Sequence, residues 1–184
     1  MGPAKESVEQ PQYLTFYIAE EEYAVGILRV KEIIQFDTVT RVPKMPPWIR
    51  GVINLRGGVV PVVDLAVKFR LPETRITNAT CIVIVEVELA GEQTVMGVLA
   101  DAVSQVIELR AGDIQPPPAF GTGVHADFLL GMGRAGKKFV LMLDIDKVLS
   151  TDELLATAEV AGGLEPTPPG DAAGSVASNE AAAP

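Results

Sequence analysis

The sequence predicts an all-β barrel protein. Apolar residues fall in short alternating or β-branched runs, Gly and Pro clusters separate those runs, and little sustained helical spacing lies between them. A hydrophobic share of 48% against 21% charged residues belongs to a folded chain, and 184 residues suffice for one domain or two small ones sharing a core.

The elements follow in order. Residues 1–12 show no apolar pattern and are expected to be disordered. From Tyr13 to Ala19 the chain alternates. Leu14, Phe16 and Ile18 face one way and Tyr13, Thr15 and Tyr17 the other, as in a half-buried strand. Glu20, Glu21 and Glu22 make an acidic turn, and Tyr23 to Val25 return as a strand. Ile27, Val30, Lys31 and Ile34 fit helical spacing, but Leu28 and Ile33 adjoin them, so this segment reads equally as a short helix or a strand.

The stretch from Arg41 to Phe69 organises the chain. Pro43, Pro46 and Pro47 forbid a helix at its start. Two β-branched runs then flank Arg56, Gly57 and Gly58, which predicts a hairpin with the glycines supplying positive φ at its tip. Pro61 cannot donate to a ladder, so it belongs at an edge or on a non-bonding side. Leu65 to Phe69 is long enough for one helical turn. Arg56 is the one charged group in an apolar surround and is the first functional candidate.

Thr80 to Leu89 reads as a strand, turning at Ala90 to Glu92 and returning through Gln93 to Ala100. Asp101 to Leu109 holds another extended run. Pro116 to Pro118 and Gly121 to Gly123 form an irregular loop, and Phe128–Gly133 and Phe139–Leu143 make a last pair around Gly136. Asp144 is placed to cap a helix, and Thr151 to Leu155 are expected to continue as a C-terminal one. From residue 161 the chain is Gly, Pro, Ala and Glu with almost no large apolar side chain. It cannot bury enough to offset the entropy of ordering, so residues 161–184 are expected to be a disordered tail after a domain spanning 13–160.

Charge and composition exclude several functions. A net charge of −9 with no basic stripe argues against nucleic acid and against anionic membrane surfaces. The sole cysteine, Cys81, cannot form an internal disulfide, which suits a reducing compartment. Neither an apolar signal segment at the start nor a run of membrane-spanning length is present.

Motifs for chemistry are weak. The sole histidine, His125, and Cys81 make no zinc set of the usual ligand count. A catalytic Cys–His pair is the alternative, but Cys81 lies in an apolar strand run, where cysteine is usually an inert small hydrophobe. Gly131 to Gly136 spells GxGxxG, yet strand-like residues follow it instead of the helix whose N-terminus would hold a pyrophosphate. Asp144 and Asp146 lack the glycine and distal glutamate of a calcium loop.

The strings EEYAVGILRVKEI, TRVPKMPPWIRGVINLRGGVVPVVDLAVKF, VLADAVSQVIEL and DIQPPP resemble the CheW family of bacterial chemotaxis coupling proteins, across residues 13–155. The resemblance implies two intertwined five-stranded SH3-like β-barrels with a few short helices. It implies no catalytic activity and no cofactor. It implies an adaptor joining the regulatory domain of the CheA histidine kinase to the cytoplasmic tips of methyl-accepting chemotaxis receptors, in arrays at the inner face of the cell membrane. Carried over by position, the partner-binding candidates are Val30, Glu32, Gly51, Arg56, Cys81, Ile82, Val103 and Gly131. Gly51 and Gly131 also read as backbone requirements and Val103 as core, whereas Glu32 and Arg56 have less packing reason to be where they are. Coupling in a pilus or second-messenger pathway would use the same domain, and a cryptic nucleotide binder working through Gly131 to Gly136 is the rival from another class.

Overall fold

The structure, a computed structural model, describes residues 10–117 and 126–149. The expectations for residues 1–9, His125, the 121–123 glycines, the Thr151–Leu155 helix and the tail lie outside the described residues.

Eleven strands form two sheets among the described residues. Strands β1 (Gln12–Ile18) and β2 (Glu21–Gly26) make the first hairpin. A 3₁₀ turn at Ile27–Arg29 leads into β3 (Val30–Gln35), so the ambiguous segment resolves as both helix and strand. Strands β4 (Ile49–Leu55) and β5 (Gly58–Asp64) and the single-turn helix α1 (Leu65–Lys68) complete the first half. The second half contains β6 (Cys81–Leu89), β7 (Glu92–Ala100), β8 (Ala102–Glu108), the two-residue β9 (Ile114–Gln115), β10 (Leu129–Ala135), β11 (Lys138–Leu143) and α2 (Ile145–Leu149).

The halves exchange hairpins. One sheet runs β8-β1-β2-β11-β10-β9, so the first half's β1–β2 hairpin sits among second-half strands. The other runs β3-β6-β7-β5-β4, with the second half's β6–β7 hairpin among first-half strands. Parallel joins, β2 to β11 and β5 to β7, stitch each donated hairpin into its host. The first sheet has one strand more than five because β9 pairs briefly onto β10.

The halves are also internal repeats. The hairpins β4–β5 and β10–β11 share one spacing throughout. Gly51 and Gly131 sit at matching bulges, Ile49 opposes Val63 as Leu129 opposes Leu143, and Asp64 and Asp144 follow directly. Both aspartates cap the next helix, Asp64 accepting from the Ala66 amide at 3.0 Å and Asp144 from the Lys147 amide at 3.3 Å.

Three cores result. Each barrel has a small interior, centred on Ile53, Val62, Ile82, Ile84 and Leu99 in one and Leu109, Val140 and Met142 in the other. The largest core lies between the barrels and draws on both halves. A row of rings crosses it, from Phe16 to Tyr23 (6.5 Å), Phe69 (6.0 Å) and Phe128 (6.2 Å). The Lys68 ammonium lies 4.6 Å from the Trp48 ring and 5.6 Å from the Phe128 ring, a cation held by the π faces of two repeat-equivalent positions. It also donates to the Val148 carbonyl of α2.

One side chain departs from simple alternation. Thr15 is fully buried, not outward-facing. Strand β1 is interior to its sheet and its ladder with β8 slips between Leu14 and Phe16. The Thr15 hydroxyl fills that bulge, donating to the Gln105 carbonyl at 3.2 Å and accepting from its amide at 3.3 Å.

Candidate functional site

The outermost strands of the second sheet are β3 and β4, and the site lies where they approach. The connection between them pairs on the β4 edge, with Thr40 and Val52 exchanging amide-to-carbonyl bonds of 2.9 and 2.8 Å. Gly51 permits that approach. A Cβ there would stand 2.3 Å from the Thr40 oxygen, and its φ is +150°. Gly131 plays the same part in the other barrel, where a Cβ would meet the Gln115 oxygen at 2.5 Å.

The β4–β5 tip then turns in two residues, Arg56 at φ +52° and Gly57 at +84°. Positive φ at both central residues gives the primed turn that matches strand twist, and Asn54 Oδ1 accepts from the Gly57 amide at 3.0 Å. With Leu55 opposite Gly58, ladder alternation puts Pro61 and Val52 in a non-hydrogen-bonded pair. The missing donor of Pro61 thus costs no ladder bond to β4.

From this tip the Arg56 guanidinium reaches across to β3 and donates to Glu32 Oε2 at 3.1 Å. Between the clasped edges opens a groove of about 690 Å³, lined by Leu55, Val59, Pro61 and Val95 with the buried Ile84 behind. Ile33 and Val59, on the two strands flanking it, are 44% and 43% exposed. The arrangement is an apolar slot with a charged clasp on its rim, suited to gripping a partner's side chains. Asp64 is not the mate of Arg56. It is buried, accepts from Thr74 Oγ1 at 2.9 Å and the Thr74 amide at 3.1 Å, and lies 3.6 Å from Arg50.

The eight sequence candidates therefore divide. Glu32 and Arg56 are joined and line the groove. Val30 precedes it, half-buried against the central core. Val103 is its counterpart, since both valines stand where a bulge begins, on β3 against β6 and on β8 against β1. Ile82 is 1% exposed inside the barrel, and Gly51 and Gly131 are steric requirements. Cys81 is buried. Burial pushes its thiol up, against a backbone hydrogen bond from Val103 that lowers it, and nearby Asp101 raises it further. A thiol so placed stays protonated, which makes it a poor nucleophile.

The other sequence motifs find structural uses. Gly131 to Gly136 form β10 and its turn into β11. Asp146 holds Arg29 through two bonds, 3.2 and 2.5 Å, and accepts the Glu88 amide at 3.0 Å, tying α2 to the 3₁₀ turn and to β6. Among the described residues no three His, Cys, Asp or Glu side chains group as metal ligands, and no helix is long and apolar enough to cross a membrane. Sequence reading missed the groove walls Leu55, Val59, Pro61 and Val95. It also missed the internal repeat, although the recurring Gly-to-Asp spacing from Gly51 to Asp64 and from Gly131 to Asp144 was its signal.

Residues 12–153 match the CheW-like domain family. A chemotaxis protein CheW from Klebsiella aerogenes is 38% identical over 158 residues, covering 86% of this chain and 92% of that protein. The chemotaxis protein CheW of Treponema pallidum is 33% identical over 152 residues, covering 83% and 89%. In structure the chain is similar to a scaffolding protein, TtCheW, from Thermoanaerobacter tengcongensis, with a TM-score of 0.71 and 27% identity over 83% of this chain and 96% of that one.

Proposed function

This chain belongs to the CheW family of chemotaxis coupling proteins, and we propose that it joins the cytoplasmic tips of methyl-accepting chemoreceptors to the regulatory domain of the CheA histidine kinase. It works as a scaffold, without catalysis and without a cofactor, in receptor arrays on the inner face of the cell membrane. The named relatives are chemotaxis proteins, which favours this role over a pilus or second-messenger pathway.

The observation that carries the reading is the clasped groove. Arg56 is held in a left-handed backbone conformation at a hairpin tip, 80% exposed, for a single ion pair with Glu32. An ion pair so open to water adds at most about 1 kcal/mol of stability. That is little return for a strained arginine, so the clasp is better understood as shaping a contact surface. Val30 and Glu32 lead onto that surface. Gly51 keeps its hairpin in place, Gly131 does so in the other barrel, and Cys81, Ile82 and Val103 act from beneath as packing.

Reconstituted receptor arrays test this. Arg56→Ala should melt within a few degrees of the parent and lose most kinase activation. An Arg56→Ala protein that couples at full strength would overturn the assignment of the groove.

A further inference from the structure

The central core comes to the surface beside α1. Its outer layer there, Met45, Val67 and Leu71, is only half-buried. These three line a cavity of about 540 Å³, together with the buried Ile49 and the cations Arg41 and Arg50. The one acid in this lining, Glu73, is paired with Arg50. No ion pair among the described residues engages Arg41.

The second half of the chain reaches this place as its described part ends. The Val148 carbonyl of α2 accepts from Lys68 Nζ, and Lys68 lies over the Trp48 ring at 4.6 Å. Lys68 follows Val67 in α1, and Trp48 stands between Pro47 and Ile49, and all three neighbours line the cavity. The last turn of α2, ending at Leu149, is therefore held against the elements that form it. Next in sequence come Ser150, Thr151, Asp152, Glu153, Leu154 and Leu155. Six residues span about 20 Å when extended, enough to cross a helix about 10 Å wide.

The residues that follow Leu149 match the cavity in charge and in apolarity. Residues 150–184 hold no Lys or Arg, and Leu154 and Leu155 are the first large apolar side chains after Leu149. The internal repeat adds a contrast. After α1 the chain folds straight back, the Leu71 amide donating to the Ala66 carbonyl at 2.8 Å, and Leu71 packs on the central core. At the repeat's spacing Thr151 falls where Leu71 stands. The apolar anchor that returns the first half to its own barrel is thus missing after α2, and an acidic pair followed by two leucines comes in its place.

We propose that this cavity is an intramolecular docking site for residues 150–155 of the same chain. Leu154 and Leu155 cover Met45, Val67 and Leu71, and the carboxylates of Asp152 and Glu153 meet the cations of Arg41 and Lys68. The second half straps the first, a third exchange beside the two hairpins, and the site is independent of the Arg56 groove.

Trp48 is the sole tryptophan of the chain, so its fluorescence reports on the strap in the full-length protein. Leu154→Ser with Leu155→Ser should raise acrylamide quenching of Trp48 about twofold, because local cover is lost. Leu164→Ser, an apolar change further along, and Arg56→Ala should each leave quenching as in the parent. Arg41→Glu should raise quenching in part, and adding Asp152→Lys with Glu153→Lys should reverse that rise. Proximity is read separately. Val67→Cys with Leu155→Cys should form a disulfide within one molecule on mild oxidation, Cys81 being buried. Val106→Cys with Leu155→Cys, at an exposed position on β8, should not. The cysteine pair decides the matter where the serine variant fails to fold. The proposal is overturned if the folded serine variant quenches like the parent, if the charge swap reverses nothing, or if both cysteine pairs bridge equally. It is equally overturned if the Val67→Cys, Leu155→Cys protein bridges only between molecules, since the occupant would then belong to a second copy.

Discussion

Gly51 and Gly131 are required for reasons of distance. A Cβ at either would strike a backbone oxygen, at 2.3 and 2.5 Å, and a backbone cannot swing aside as a flexible side chain does. Gly51→Ala or Gly131→Ala should each cost about 1–3 kcal/mol, read as a fall in denaturation midpoint. Gly57 also has positive φ but nothing within 4 Å, so Gly57→Asn should be nearly neutral. Tyr23 supplies a pH test at the same scale. Burial, and secondly the Glu21 charge, push its phenol up from 10.0 to about 12. The folded state therefore favours the neutral ring by roughly 3 kcal/mol. The sign follows from the raised value: this stability is complete below pH 10 and is lost as pH climbs through 12. Melts across that range should steepen downward in the parent and flatten in Tyr23→Phe. Equal alkaline limbs in the two proteins would count against the cause given.

At the scale of elements, the repeat-equivalent caps differ in what depends on them. Asp64 holds the Ala66 amide and both the amide and hydroxyl of Thr74, all in the interior, beside Arg50. Asp64→Ala strands those groups and should cost about 3 kcal/mol. Among the described residues the Asp144 side chain accepts from the Lys147 amide alone, with Lys147 Nζ 3.5 Å away. Asp144→Ala should cost about 1 kcal/mol. Paired chemical denaturation curves decide this, and equal losses would refute the difference. The hairpin clasp has its own test. In a double-mutant cycle on Arg56→Ala and Glu32→Ala, the stability coupling should stay under about 1 kcal/mol, because Arg56 is mostly in water. Swapping the charges, Arg56→Glu with Glu32→Arg, restores the ion pair but not the shape and sign of the partner surface. Coupling activity should therefore remain low in the swap. Full recovery would show that the clasp acts only within the chain.

At the scale of the molecule, the exchange of hairpins makes the two barrels one cooperative unit. Residues 1–79 alone would hold β1 and β2 without their neighbours β8 and β11, and residues 80–184 would hold β6 and β7 without β3 and β5. The central core would be cut through, since Phe16, Tyr23 and Phe69 come from one half and Phe128 from the other. Neither fragment should melt cooperatively, and the whole chain should unfold in one calorimetric transition. A cooperative melt from either half alone would contradict this.

The sequence by itself determined the local story. Alternation, glycine tips and proline punctuation are short-range steric effects, so the strands, the β4–β5 hairpin, the single turn of α1 and the cap at Asp144 were legible from residues 13 to 149. So were the barrel class and Arg56 as a candidate, and the family strings added the intertwining of two barrels and partner positions such as Val30 and Glu32. Tertiary structure decided which edges meet. Thr15 is buried because its strand is interior to a sheet completed by β8. Arg56 chose Glu32 over Asp64 because barrel closure brings β3 to the hairpin tip, while Asp64 was already committed to Thr74 and Ala66. The groove walls come from β3, β4, β5 and β7. Such surfaces depend on non-local pairing, in which residues far apart along the chain become neighbours through ladders that periodicity within a segment does not encode.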